Sequence, residues 1–74
     1  MGLYRLFLAH PRHPESPRLL AEHVDPAWLK QRGYDVARNL GEAAAVWSPV
    51  DSNSPAARLA LHCRSGHALA IVHA

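Results

Sequence analysis

Between residues 58 and 73 the chain alternates in the manner of a strand, and the alternation is interrupted once, at a turn signal. Arg58-Leu59-Ala60-Leu61-His62-Cys63-Arg64 puts Leu59, Leu61 and Cys63 on one side of an extended backbone. Ser65-Gly66 follows, then His67-Ala68-Leu69-Ala70-Ile71-Val72-His73, with Leu69 and Ile71 on one side. Strand side chains change face at every residue, so the pattern predicts a β-hairpin. A three-residue Ser65-Gly66-His67 loop pairs Leu61 with Ile71 and Cys63 with Leu69, and gathers the apolar residues on one face. A two-residue loop slips the partner by one and mixes Leu69 and Ile71 with His62 and Arg64. The longer loop is preferred, because a one-residue slip moves a whole apolar set to the wrong side.

That hairpin needs a cover, and a chain of 74 residues has little else to build with. It reads as one small domain, residues 1–74, whose core is thin. Residues 3–9, Leu-Tyr-Arg-Leu-Phe-Leu-Ala, form an apolar run with one charge and suit an interior strand. The prolines of His10-Pro11-Arg12-His13-Pro14 end it. Ser16-Pro17 has the form of an N-cap followed by a first-turn proline, which predicts a helix through Val24. Asp25-Pro26 repeats the signal and predicts a second short helix, 27–32, closed by Gly33. Leu20, Val24 and Trp28 then form one apolar stripe four residues apart.

Tyr34 to Leu40 alternates like a strand, residues 44–48 read as another, and the composition of 48–55 is that of a loop. The predicted order is β-α-α-β-β-β: an α+β fold with a small antiparallel sheet, one layer of short helices and a C-terminal hairpin.

Several classes are disfavoured. Cys63 is the one cysteine, so no intrachain disulfide staples the fold. The first residues lack the basic region of a signal peptide, the apolar run is too short to span a bilayer, and Leu6 breaks the myristoylation pattern. The expected location is the cytoplasm, with no membrane partner. The formal net charge is +2, carried by Lys30 and by arginines spread from Arg5 to Arg64. Nucleic-acid binders concentrate such charge on one face, so nucleic acid ranks below protein as a partner.

Six histidines are the unusual feature. His10 and His13 flank a proline-rich turn, and His62 and His67 belong to the hairpin beside Cys63. If strand one lies beside the hairpin, the two groups meet, and imidazole and thiolate are ligands for zinc or copper. The spacing matches no zinc motif, however, and His62 and Cys63 point to opposite faces of a strand. His10, His13, His62 and His67 are therefore weak metal candidates, and no cofactor is expected. Cys63 fits the Leu59–Leu61 alternation better as a small buried hydrophobe than as a nucleophile. No catalytic triad, phosphate loop or CxxC motif is present, and the chain is not expected to be an enzyme.

The opening Tyr4-Arg5-Leu6, with the order of one strand, two helices and a terminal three-stranded sheet, is similar to the small RelE-like ribosome-dependent mRNA-cleaving toxins. That resemblance implies an RNA-cleaving activity as the alternative function. It assigns no catalytic residue here, because no motif matches residue by residue. The leading expectation is a non-enzymatic protein-interaction module, accessory, regulatory or inhibitory, acting by surface contact and as a homodimer or on a larger partner. The residues expected on that surface are Arg58, His62, Arg64, His67, Ile71, Val72 and Trp28.

Overall fold

A computed structural model describes residues 2–42, 44–49 and 57–73; the side chains of residues 49, 57 and 58 lie outside the description. The elements are β1 (Tyr4–His10), β2 (His13–His23), α1 (Pro26–Asn39), β3 (Ser48–Pro49), β4 (Ala57–His62) and β5 (Ala68–His73). They form one antiparallel sheet in the order β2-β1-β5-β4-β3 with a helix packed on it, so the fold is α+β with a C-terminal hairpin.

The apolar run of residues 3–9 becomes β1, which is flanked on both sides, by β2 and by β5. This requirement overrides the helix signal at Ser16-Pro17. A strand that buries Leu6 needs two neighbours for its backbone groups, and residues 13–23 supply the second. The expected helix 16–24 is therefore strand β2. Prolines 14 and 17 are tolerated because β2 is an edge strand, where an N–H can be missing at no cost to the ladder. The register steps between Leu6 and Phe7, whose partners are Ala21 and Leu19. Leu20 is the residue left over. This bulge turns Leu19 to the outer face while Leu20 and Ala21 still pack against the core.

The second helix starts as its signal predicts. Asp25 is the N-cap, with φ −104° and ψ 111°, and its carboxylate accepts the Ala27 N–H at 3.0 Å, with Pro26 in the first turn. It does not stop at Gly33. Leu29, Gly33 and Ala37 are the buried residues of α1, one stripe at four-residue spacing that faces the sheet. The indole of Trp47 lies against Gly33, where a Cβ would collide with its Cζ2, and Trp47 Nε1–H donates to the Lys30 carbonyl at 3.1 Å. Gly33 thus serves close packing rather than termination, and the expected strand 34–40 is the second half of α1.

The left-handed residue is Gly41, φ +84°. Gly41 N–H donates to Arg38 O and Glu42 N–H to Ala37 O, which is the double closure of a Schellman motif. Of the expected strand 44–48, only Ser48 joins a ladder, followed by Pro49, opposite Ala60 and Leu59.

The C-terminal hairpin is present, shifted by two residues from the expected register. Leu61 pairs with Leu69 and Leu59 with Ile71. The loop is Arg64-Ser65-Gly66: Cys63 N–H donates to His67 O, Gly66 N–H to Cys63 O, and Gly66 takes φ +92°. A two-residue shift preserves the faces, so the apolar set stays together as expected. Leu6, Leu61, Leu69, Ile71 and Leu29 are wholly buried, with Ala37 and Cys63 completing the core between sheet and helix. The stripe Leu20–Val24–Trp28 does not exist: Val24 is 64% and Trp28 48% exposed. Two strands before one helix also replace the strand and two helices on which the similarity to RelE-like toxins rested.

Candidate interaction face

Strand alternation gives the sheet a second face, and among the described residues no element covers it. With Leu6, Leu8, Leu69, Ile71 and Leu61 turned toward α1, their neighbours in sequence turn away. The pairings set these outward residues in rows. Leu19, Phe7, Ala70 and Ala60 lie side by side across β2, β1, β5 and β4. Glu22, Arg5 and Val72 form the row on one side, and Ala9, Ala68 and His62 the row on the other. Leu19 is 43% exposed, and Phe7, Ala60, Ala70 and Val72 are half-buried. Among the described residues the charged pair of this face is at a corner: Arg5 Nε lies 3.7 Å from Glu22 Oε1, with both side chains in contact with water. Such exposed pairs add little stability. The middle of the face is apolar, and its relief is uneven. The β2–β1 half carries Leu19 and Phe7, the β5–β4 half carries Ala70 and Ala60.

The residues expected on an interaction surface are scattered by the fold. Val72 is on this face and His62 at its margin. Ile71 is wholly buried beneath α1 and leaves the set, because its parity in β5 is that of Leu69. The Arg58 side chain lies outside the described residues. Arg64 is the first residue of the hairpin loop and His67 follows its last. Trp28 is at the start of α1, away from the sheet's outer face, where its indole stacks on His23 at 4.8 Å between ring centroids and 14° between planes. His23 Nδ1 in turn accepts the Asp25 N–H. Phe7 and Leu19, the largest side chains on the outer face, escaped the sequence reading. Phe7 sits in an uninterrupted apolar run that hides its parity, and Leu19 in a segment with helix punctuation.

The two histidine groups do meet. His10 and His67 are edge to face with centroids 4.8 Å apart, and His13 follows at 6.2 Å from His10. Their nitrogens are partly engaged: His10 Nδ1 accepts the Arg12 N–H, and His67 Nδ1 shares a 2.7 Å hydrogen bond with Ser65 Oγ. Among the described residues no group of three His, Cys, Asp or Glu side chains has the geometry to hold a metal ion. Cys63 is buried, and burial raises its thiol pKa above the ordinary value, with the Glu42 carboxylate pushing the same way. A thiol held protonated is a poor nucleophile.

Two open hollows flank α1. One, of about 470 Å³, includes Tyr34, Arg38, Glu42 and Val46 in its lining; the other, of about 210 Å³, is formed by Trp28, Gln31, Arg32 and Asp35. No histidine lines either. Among the described residues no helix is long and apolar enough to cross a membrane. Comparison with protein-family models, with curated proteins and with solved structures gives no match.

Proposed function

We propose that the protein is a non-enzymatic interaction module that works by surface contact through the outer face of its sheet. The supporting observation is the row Leu19–Phe7–Ala70–Ala60, an apolar strip that no element among the described residues covers, on a sheet whose other side buries Leu6, Leu61, Leu69 and Ile71. Extended apolar patches of this kind are uncommon on free monomers and mark contact sites. The edges of the sheet serve this purpose less well. β2 carries Pro14 and Pro17 and two irregularities of register, and β3 is two residues long and ends in Pro49. These are the features by which sheets resist the addition of a further strand. A regulatory or inhibitory role is part of the same proposal, and the lone buried thiol of Cys63 suits a reducing compartment such as the cytoplasm.

An RNA-cleaving role has less behind it. The element order behind that resemblance differs from the one found, and among the described residues neither hollow beside α1 brings arginine and histidine together.

Carbene footprinting tests the reading. On association, whether with itself or with a host protein, Phe7, Leu19 and Val72 lose labelling while Trp28, Val24 and Val46 keep theirs. Protection of Val24 and Trp28 with Phe7 still labelled would move the site to the helix and refute the proposal.

A further inference from the structure

The outer face has a relief that specifies its occupant. In the central row of the four strands that build it, the β2–β1 half is raised by Leu19 and Phe7 and the β5–β4 half is low, with Ala70 and Ala60. A twofold axis parallel to the strands, running between β1 and β5, exchanges the two halves without shifting the rows. It sets Phe7 of each copy over Ala70 of the other and Leu19 over Ala60. Large meets small at every position of the central row, which is the interdigitation that sheet-on-sheet packing needs. A twofold axis across the strands would instead stack Phe7 on Phe7 and leave the alanines facing each other over a void.

We propose that a second copy of this chain covers the face, in an aligned face-to-face dimer with the twofold parallel to the strands. This rests on the interaction-module reading above and names its partner. Arg5 and Glu22 remain paired within each chain, at the rim, where Val72 of the other copy meets the aliphatic stem of Arg5. Neither charge is stranded in the contact. The size is that of a weak, transient contact. Four strands about 4.8 Å apart and three outward rows about 6.6 Å apart give about 400 Å² per copy, against about 800 Å² per partner in a standard interface. The dimer is therefore concentration-dependent, dissociating in the micromolar range.

The relief gives a test that mere hydrophobic adhesion does not pass. Phe7→Ala leaves two small surfaces facing each other, and Ala70→Phe leaves two large ones; each alone weakens self-association about tenfold or more. Mixed together, the two variants complement, because the two contacts between positions 7 and 70 become Ala over Phe in one direction and Phe over Ala in the other, and the Leu19–Ala60 contacts are unchanged. Sedimentation of the mixture then shows a heterodimer within about threefold of wild-type affinity. Leu19→Ala mixed with Ala60→Leu repeats the design at the neighbouring pair, and serves if either first variant fails to fold by circular dichroism. Mixtures no tighter than the single variants overturn the proposed geometry. A wild-type chain that stays monomeric at about 200 μM overturns the dimer. If Phe7 is then still protected by a host protein, the interaction-module reading stands; if no protection appears anywhere, both fall.

Discussion

The indole of Trp47 lies on the α-carbon of Gly33, in the space a side chain at that position would occupy, and is tied to the helix by its hydrogen bond to the Lys30 carbonyl. One residue from the irregular segment after α1 thus explains a glycine in the middle of a helix. Gly33→Ala gains up to about 1 kcal/mol of helix propensity, but displaces the ring and its hydrogen bond, so the net effect is a loss of about 1–3 kcal/mol. In a Trp47→Ala background the collision is gone, and the same substitution stabilises. Urea denaturation of the four chains checks this; a stabilising Gly33→Ala in the wild-type background would show that the packing is not as described.

Adjacent positions of α1 have opposite roles. Leu29 is wholly buried, and Leu29→Ala costs about 2–5 kcal/mol. Trp28 is half-exposed and stacked on His23, and Trp28→Ala costs less than about 1 kcal/mol. Thermal melts that rank the two the other way would restore the helix face expected from Leu20, Val24 and Trp28.

Local signals in this sequence are legible, and those that depend on tertiary partners are not. Strand alternation at 59–63 and 69–71 is a local signal, and it placed Leu59, Leu61, Cys63, Leu69 and Ile71 on one face although the register was two residues off. Asp25-Pro26 is equally local and located the start of α1. The failures are tertiary. Ser16-Pro17 carries helix punctuation, but the unsatisfied edge of β1 claims residues 13–23. Gly33 looks like a stop until Trp47 arrives from 14 residues downstream. The candidate face was missed for the same reason: the outward parity of Phe7 and Leu19 depends on which side α1 covers and on a bulge at Leu20 that no local pattern announces.

Cys63 makes stability depend on pH. Burial raises the thiol pKa in the folded chain above its ordinary value of 9.0. The unfolded chain therefore loses the thiol proton first as pH rises, and unfolding becomes more favourable from about pH 9 upward until the folded pKa is passed. Below that range the contribution is fully present. Cys63→Ala removes this component of the alkaline loss, at the cost of a small cavity. Denaturation midpoints measured from pH 7 to 10 distinguish the chains; identical slopes would mean that the thiol ionises alike in both states. Alkylation of Cys63 in the folded chain should likewise be slow and limited by opening.

Glycine 66 closes the hairpin with φ +92°, and the position its Cβ would take is 2.8 Å from Cβ of Pro11 in the β1–β2 turn. Gly66→Ala therefore combines backbone strain of about 1–2 kcal/mol with a collision between the two turns that carry His10 and His67. Gly41→Ala has the strain alone among the described residues, since beyond its chain neighbours none of them comes within 4 Å of the position its Cβ would take. The first should destabilise more than the second by calorimetry, and equal losses would mean that the two turns do not touch.

The central claim is that two copies of this chain meet through the outer face of the sheet. Static light scattering of the wild-type chain, Phe7→Asp and Trp28→Asp between about 1 and 200 μM measures it most directly. A buried charge costs several kcal/mol at an apolar interface and little on an exposed helix start. The account predicts a weight-average mass that rises from monomer toward dimer for wild type and Trp28→Asp, and a monomer throughout for Phe7→Asp. A wild-type mass that stays monomeric over the whole range, or association that survives Phe7→Asp and is lost in Trp28→Asp, would contradict it.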